Sequence, residues 1–289
     1  MKILQKSIFP FGMLFMLSLL TSCVSGGLGL INGMAKFGHY KSHLNLNYSD
    51  KPLNTLNLYI PEDREVIATV VFFYGGCWGQ CSNKGKDSYL FIADTLSKQG
   101  YAVVIADYRS FPEVHFDDII LDAKLVTQWT INHIEDYGIN SKDIFIMGHS
   151  SGAHIGAMLV DDESILGDDL AQINGFIGLA GPYDFYPFNT DYMYELFSSR
   201  DYYYASQPVN FINGNEPPHL ILHGENDNRV HPNNAERVAK MLQKYNIEHE
   251  MIMFKKMSHA KIMVELSKPL RRRSPVLKNI VTFINNNLD

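Results

Sequence analysis

The sequence predicts an α/β protein with a mostly parallel central sheet that is flanked by helices on both faces. Short apolar runs rich in β-branched residues, such as Ala68 to Tyr74 and Tyr101 to Tyr108, are typical of strands buried on both sides. Between such runs lie segments with apolar residues at helical spacing, as in Phe116 to Ile134. Strands that alternate with helices predict parallel strands joined by right-handed crossovers.

The other elements follow from the same two patterns. Alternating apolar and polar residues predict a first strand from Leu53 to Tyr59, which Pro61 ends. Further predicted strands are Asp143 to Met147, Phe176 to Ala180, His219 to Leu222 and Glu250 to Phe254. Further predicted helices are Asp87 to Gln99, the segment after Gly152, Asn233 to Tyr245 and Pro275 to Asn287.

Length and composition fit one large globular domain. The chain has 289 residues, of which 46% are hydrophobic and 19% charged, and its formal net charge is −6. A negative net charge disfavours a nucleic-acid partner. Cys77 and Cys81 have no cluster of histidines beside them, so no metal site is predicted. Whether these two cysteines are paired or free is left open by their spacing alone.

The N-terminal residues 1–22 resemble a bacterial lipoprotein signal peptide. Lys2 and Lys6 precede the apolar segment Ile8 to Leu20, which is too short to span a bilayer comfortably. Leu20-Thr21-Ser22-Cys23 is similar to a lipobox, and this resemblance implies that Cys23 becomes the lipidated N-terminus. An ordinary signal peptide is the alternative.

The residues after Cys23 set the expected location. Val24 stands where an Asp would resemble an inner-membrane retention signal, which favours an outer-membrane lipoprotein that faces the periplasm. The Gly-rich stretch Ser25 to Gly33 indicates a flexible tether over residues 23–45, followed by the α/β domain at 46–289.

A candidate nucleophile lies at a predicted strand–turn–helix junction. Gly148-His149-Ser150-Ser151-Gly152 follows a predicted strand and precedes a small-residue helix, as a nucleophile elbow requires. A serine hydroxyl needs a base. His259 follows the last predicted strand and is the predicted base, with His231 as a competitor. His154, His219 and His223 lie inside predicted elements and are expected to pack there.

The remaining parts of the site are an acid and an oxyanion hole. Asp227 is the predicted acid because its loop leaves the strand before His259, and Glu225 and Asp184 are alternatives. The predicted oxyanion donors are the backbone amides of Gly76, Cys77 and Ser151.

At these residues the sequence resembles the α/β-hydrolase esterases. The matching segments are Tyr74-Gly75-Gly76-Cys77-Trp78, Asp107-Tyr108-Arg109 with Pro112, Gly148 to His154, and His223 to Val230. The branch is similar to carboxylesterases, isoprenylcysteine methylesterase-like proteins and kynurenine formamidase-like proteins. The resemblance, which runs from about Leu53 to the C-terminus, implies the α/β-hydrolase fold and the triad Ser150, Asp227 and His259. Two residues depart from the pattern: Tyr74 replaces a histidine, and Met257 replaces a glycine.

An insertion at about 183–218 is unusually rich in aromatic residues. Most of these rings are expected to pack onto the core, and a few to line an acyl or aryl pocket.

These observations predict a serine carboxylesterase that acts through an acyl-enzyme on Ser150. Its expected partners are a small-molecule ester and, through lipidated Cys23, a membrane. No cofactor is required, and the oligomeric state is not predicted. An amidase or aryl formamidase with the same triad is one alternative. A non-catalytic binding protein of the cell envelope is the other, because a fold alone does not confer activity.

Overall fold

The computed structural model describes residues 27–82, 84–140, 142–200 and 202–288. The predicted signal peptide and Cys23 lie outside the described residues, so the two predictions made for them stay predictions.

One sheet organises the described part of the chain, with strand order β1-β2-β4-β3-β5-β6-β7-β8. β1 pairs antiparallel with β2, and β2 pairs antiparallel with β4, whereas every later neighbour is parallel. The strands are β1 Tyr40–Asn47, β2 Thr55–Pro61, β3 Ala68–Phe73, β4 Tyr101–Ala106, β5 Ile144–His149, β6 Ile173–Leu179, β7 His219–Gly224 and β8 His249–Phe254. The predicted mostly parallel sheet is thereby confirmed.

Helices cover both faces of this sheet. The described α-helices are α1 at 27–35, α2 Leu90–Ser97, α3 Phe116–His133, α4 Ser151–Asp161, α5 Glu163–Leu166, α6 Asp191–Leu196, α7 Asn233–Lys244, α8 Lys261–Val264 and α9 Pro275–Asn286. Short 3₁₀ helices lie at Cys77–Gly79, Lys86–Tyr89, Ile134–Tyr137, Gly167–Gln172, Phe197–Ser199, Tyr203–Ser206, Pro208–Asn210 and Arg271–Arg273.

The pleat of β3 shows how the two layers of core arise. Successive side chains of a strand point to opposite faces. Val71 and Phe73 accordingly pack in the core with α3 and α4, whereas Val70 and Phe72 pack in the core with α2 and α9. Because every residue of β3 is buried, its apolar run is continuous and identifies a central strand.

The predicted tether over residues 23–45 is wrong for the part that the structure describes. Residues 27–35 form α1, whose Ala35 is fully buried, and Tyr40–Asn47 form the edge strand β1. Asn32 fixes α1 to the body, because its side chain donates to the Ser88 carbonyl at 2.6 Å and accepts from the Phe91 amide at 3.1 Å. Glycine lowers helix propensity, but this packing and these hydrogen bonds outweigh that cost.

The aromatic insertion folds mostly into core, as expected. Tyr183 and Phe197 are fully buried, and Phe188 stacks on Phe197 with ring centroids 4.9 Å apart. Tyr202 and Tyr204 are exposed. The insertion therefore packs mainly into the core on the face of the sheet that α3 and α4 cover.

Among the described residues, no helix has the length and apolar composition needed to cross a bilayer. Nor do the described histidines, cysteines and carboxylates form a group that could hold a metal ion.

Candidate active site

The predicted site residues meet at the carboxyl ends of the parallel strands. Ser150 follows β5, the Gly76 loop follows β3, Asp227 follows β7 and His259 follows β8. In open α/β sheets, ligands bind at this edge. The sheet order therefore brings together four loops that are far apart in the sequence.

Ser150 occupies a strained turn between β5 and α4. Its φ is 56° and its ψ is −126°, a conformation that costs energy for a residue with a side chain. The turn closes because Gly148 and Gly152 approach each other and β3 too closely for any Cβ: one on Gly148 would collide with the Gly152 carbonyl, and one on Gly152 with the Phe73 carbonyl. The predicted elbow geometry is present.

Ser150, His259 and Asp227 form a continuous hydrogen-bonded chain. The Ser150 hydroxyl lies 2.9 Å from His259 Nε2, and His259 Nδ1 lies 2.8 Å from Asp227 Oδ2. A carboxylate can only accept, so Nδ1 carries the proton and Nε2 of the neutral ring accepts from Ser150. Ser150 and His259 are partly exposed, whereas Asp227 is buried. The predicted nucleophile and base are thus accessible to a substrate, and the predicted acid lies behind them.

Asp227 is held as a carboxylate by its neighbours. Burial by itself would raise its pKa, but hydrogen bonds from His223, His259 and the Val230 amide outweigh burial and hold the pKa well below its ordinary value. Its Oδ1 accepts from the amides of Arg229 and Val230 at 2.9 and 3.0 Å. The Asp227 carboxylate is therefore charged and fixed in orientation at neutral pH.

The alternative candidates for the base and the acid make other contacts. His231 is exposed, and its Nδ1 accepts from the Asn233 amide at 3.2 Å. Glu225 is exposed, and Asp184 pairs with Arg237 at 3.1 Å. None of these three groups is hydrogen-bonded to Ser150 or His259 within the described chain.

Two departures from the esterase pattern are accommodated locally. Tyr74 stacks between Tyr89 and Tyr108, with ring centroids 5.0 and 4.9 Å away, and donates to Asp107 at 3.0 Å. Met257 is buried, and its carbonyl accepts from the Asn226 amide at 3.0 Å. The loops that contain Gly76 and His259 are therefore both held in place by these contacts, although Tyr74 and Met257 depart from the esterase pattern.

The oxyanion loop differs from the prediction at Gly76. The Gly76 amide donates to the side-chain hydroxyl of Ser151 at 3.0 Å and so is already engaged. The amides of Cys77 and Ser151 donate to no other group in the described part of the chain. Two of the three predicted donors are thus open, and the third is occupied by a neighbouring side chain.

The same loop is clamped by a disulfide. Cys77 and Cys81 are paired, which settles the question that their spacing left open. Cys77 and Trp78 both have positive φ, 53° and 56°, an uncommon backbone conformation for residues with side chains. The disulfide closes a five-residue loop around this strained turn.

Trp78 links the loop to the core beneath it. Its indole N–H donates to His154 Nδ1 at 3.1 Å, so the other ring nitrogen of His154 carries the proton and donates to the Ser206 carbonyl at 2.7 Å. Burial lowers the pKa of His154 to about 3, which keeps the ring neutral. The prediction that His154 packs within its helix is confirmed. Its two hydrogen bonds join the oxyanion loop to the insertion.

Several functional contacts could not be predicted from the sequence. The Tyr89 hydroxyl donates to the Gly75 carbonyl at 3.2 Å, and the Tyr108 hydroxyl donates to the Tyr74 carbonyl at 2.6 Å. His149, next to the nucleophile, donates from Nε2 to the His259 carbonyl at 3.0 Å. For His149, its position within the elbow motif was the one sequence feature that could have indicated a role near Ser150. The two tyrosines lie in segments whose positions depend on tertiary packing.

His219 and His223 lie in β7, as predicted, but they contact different groups. His219 is fully buried and bonds the Pro217 carbonyl and Asp161. His223 donates to the Val230 carbonyl at 2.9 Å and lies 3.4 Å from Asp227. His223 is therefore a second support for the predicted acid.

Comparisons with known proteins agree with this fold. The chain is 28% identical over 270 residues to a probable isoprenylcysteine alpha-carbonyl methylesterase of Arabidopsis thaliana; the match covers 82% of this chain and 54% of that relative. The chain thus spans about half the length of this relative.

Solved structures show the same architecture. The esterase of Pyrobaculum calidifontis superposes with a TM-score of 0.76 at 16% identity, covering 99% of this chain and 97% of that one. Thermogutta terrifontis esterase 2 phosphorylated by paraoxon superposes with a TM-score of 0.70 at 22% identity. This match covers 86% of this chain and 94% of that one. At these identities, the likeness establishes the α/β-hydrolase fold.

A family model supplies the remaining comparison. The BD-FAE model matches residues 56–242, which contain the oxyanion loop, the nucleophile elbow and the predicted acid. This match extends over more than half of the sequence, and the chain belongs to the BD-FAE family.

Proposed function

We propose that the protein is a serine carboxylic ester hydrolase in which Ser150 is the nucleophile, His259 the general base and Asp227 the orienting acid. The hydrogen-bonded chain from Ser150 through His259 to Asp227 carries the proposal, since nucleophilic catalysis by serine needs a base in hydrogen-bonding contact and a third group that orients it. The name of the Arabidopsis relative, a methylesterase, supports an ester as the substrate.

The first half-reaction follows from this geometry. Ser150 Oγ attacks the acyl carbon while its proton passes to His259 Nε2. Asp227 stabilises the imidazolium that forms, because it already accepts from Nδ1. When the tetrahedral intermediate collapses, the carbon–oxygen bond of the ester breaks, and the alcohol leaves with the proton from Nε2. Ser150 retains the acyl group.

Water completes the cycle by the same route. His259 takes a proton from water, the hydroxide oxygen bonds to the acyl carbon, and the proton returns to Ser150 Oγ as the carboxylic acid departs. The open amides of Cys77 and Ser151 would stabilise the negative oxygen in both halves. Each oxyanion donor is worth about 3 kcal/mol in the transition state.

A matched pair of serine variants tests the proposal on the full chain. Hydrolysis of p-nitrophenyl acetate and butyrate should fall about a million-fold in kcat in Ser150→Ala. Ser164→Ala, which removes an exposed hydroxyl at the distant helix α5, should retain wild-type kcat. If wild type hydrolyses only the corresponding acyl anilides, the enzyme is an amidase, and the ester proposal fails.

We also infer that the protein is an exported lipoprotein of the bacterial cell envelope, anchored through Cys23 to the outer membrane and facing the periplasm. The lipobox-like Leu20-Thr21-Ser22-Cys23 and the apolar stretch before it support this inference. Metabolic labelling with a palmitate analogue should mark the wild-type chain, whereas Cys23→Ser should not be labelled. Labelling that survives in Cys23→Ser would contradict the inference.

A further inference from the structure

Helix α1 and the turn that follows it present an apolar surface to solvent. Leu30, Met34 and Phe37 are 62%, 36% and 79% exposed, and Leu270, which follows the groove residue Pro269 in the sequence, is 42% exposed. The first three line a groove of about 540 Å³, which Lys268 and Pro269 close on the other side. We call these residues, together with Lys36, Arg272 and Arg273, the α1 face. Contiguous exposed apolar surface of this kind marks a site of interaction.

The α1 face is rigidly held, so its exposure is a property of the fold. The opposite side of α1 buries Ala35 and forms the two Asn32 hydrogen bonds to Ser88 and Phe91. Lys268 Nζ also donates to the Met34 carbonyl, at 3.4 Å. The outward residues therefore cannot be buried by a simple rotation of the helix.

The charged residues of the two segments that form this apolar surface are basic. Lys36, Arg272 and Arg273 are exposed, and Lys268 borders the groove. Residues 27–38 and 266–273 contain no Asp or Glu, although the whole chain has a formal net charge of −6. Arg271 is excluded from this count because it is paired with Asp94 at 2.6 Å. An apolar surface with a basic rim is complementary to a membrane with anionic headgroups.

Cys23, the predicted lipidation site, is close to α1 along the sequence. Residue 27 begins the described part of α1, and Cys23 lies four residues before it. Four extended residues span at most about 14 Å. If Cys23 is acylated, its lipid would hold the start of α1 within that distance of the bilayer, so the short connection favours contact between the α1 face and lipid.

We propose that the α1 face docks onto an anionic phospholipid membrane, with Leu30, Met34 and Phe37 in the interfacial region and Lys36, Lys268, Arg272 and Arg273 at the headgroups. This surface is separate from the catalytic triad, and its docking does not require the hydrolase activity. Acylation of Cys23 would add to the binding, since stable anchoring needs more than one signal.

Depth-dependent fluorescence quenching tests the proposal. The full-length chain is reconstituted in vesicles of phosphatidylglycerol and phosphatidylcholine, with bromine on the acyl chains of the phosphatidylcholine. Phe37→Trp places a reporter on the α1 face, and Leu53→Trp places one at another site that is 73% exposed, between β1 and β2. Both signals are read after subtraction of the native Trp78 and Trp129 emission.

We expect brominated lipid to quench the added tryptophan of Phe37→Trp at least twofold and that of Leu53→Trp not measurably. Replacing phosphatidylglycerol with phosphatidylcholine should weaken the quenching at position 37. Equal quenching at the two positions, or none at position 37, would overturn the proposal. A tryptophan at position 37 that is shielded from water but not quenched by brominated lipid would also overturn the proposal. In that case the N-terminal segment or a second copy of the chain would cover the α1 face. Unchanged ester hydrolysis in both variants verifies that they are folded.

Discussion

The backbone amide of Gly76 donates to the side-chain hydroxyl of Ser151, 3.0 Å away, so the residue after the proposed nucleophile Ser150 occupies a predicted oxyanion donor. The hydroxyl must turn aside before Gly76 can bind a negatively charged oxygen. A typical intramolecular hydrogen bond contributes about 1 kcal/mol net, which sets the scale of this competition.

Ser151→Ala should therefore raise kcat/KM for p-nitrophenyl butyrate by roughly fivefold, the factor that corresponds to about 1 kcal/mol. The backbone amide of residue 151 is kept in this variant. Steady-state kinetics on the purified full chain measure the change. A tenfold fall in kcat/KM would instead show that the Ser151 hydroxyl itself supports the transition state.

Tyr89 is predicted to position the Gly76 amide. In a trans peptide the carbonyl and the following amide point in opposite directions, so the Tyr89 hydroxyl, by binding the Gly75 carbonyl at 3.2 Å, helps to aim the Gly76 N–H. A Cβ on Gly75 would lie 2.8 Å from Ser150 Cβ, which shows how closely this peptide approaches the nucleophile. Tyr89→Phe should lower kcat about fivefold and leave KM nearly unchanged, because the stacked ring remains.

Tyr101→Phe is the matched control. The Tyr101 hydroxyl also makes a 3.2 Å bond, to Asn285 in α9, far from the loop. Its removal should leave kcat as in wild type. Equal effects of the two variants would mean that Tyr89 contributes only to general stability.

The Cys77–Cys81 disulfide is predicted to support turnover by holding an oxyanion amide in a turn that is otherwise unfavourable. Closing a five-residue loop stabilises the folded chain by about 2 kcal/mol in the chain-entropy model. Treatment of wild type with dithiothreitol should lower kcat about tenfold, and reoxidation should restore it. Cys81→Ala should show the lower kcat and no response to the reductant. Complete reduction is verified by mass spectrometry. If the fully reduced enzyme keeps the kcat of the untreated enzyme, the disulfide does not have this role.

Stability should fall in acid because of His154. Burial lowers its pKa to about 3 from the ordinary 6.5, and the nearby charge of Arg200 acts in the same direction. Below pH 6.5 the unfolded chain takes up a proton that the folded chain does not, so this contribution to stability is complete above pH 6.5 and is lost as the pH falls toward 3. Between pH 7.5 and 5.0, the loss amounts to about 2 kcal/mol for one such group.

Urea unfolding at these two pH values tests the assignment. In His154→Gln, the drop in unfolding free energy between pH 7.5 and 5.0 should be about 2 kcal/mol smaller than in wild type. Trp78→Phe breaks the same hydrogen bond but keeps the imidazole, so it should lose stability at both pH values and retain the wild-type pH dependence. A wild-type pH dependence in His154→Gln would rule out His154 as the source.

The central strands and the turn at Ser150 could be predicted from the sequence because each has a local signal, whereas Asp227 and His259 were chosen from the order of the strands and from the resemblance to esterases. Ala68–Phe73 is continuously buried, which leaves an uninterrupted apolar run, and Ser150 is flanked by the glycines that its turn requires. The strand β1 was missed because most of its residues are exposed at the sheet edge, so no apolar period marks it. Helix α1 was missed because its glycines indicate a linker, whereas its packing depends on contacts with Ser88 and Phe91, more than fifty residues away.

The fine structure of the site has no such local signal. The bond between Gly76 and Ser151 joins residues 75 positions apart, and the bond between His149 and the His259 carbonyl joins residues 110 positions apart. Motif spacing identifies which loops meet at the edge of the sheet. Which amide is open and which is occupied depends on how the loops pack together, and this appears only in the folded chain.

The most direct test of the catalytic assignment is covalent labelling by an active-site-directed fluorophosphonate, read by peptide mass spectrometry. The reagent should phosphonylate Ser150 stoichiometrically in wild type, and His259→Ala should label at least a thousand-fold more slowly because the hydroxyl has lost its base. A wild-type chain that hydrolyses esters yet carries the adduct on another residue, or on none, would contradict the assignment of Ser150 as the nucleophile.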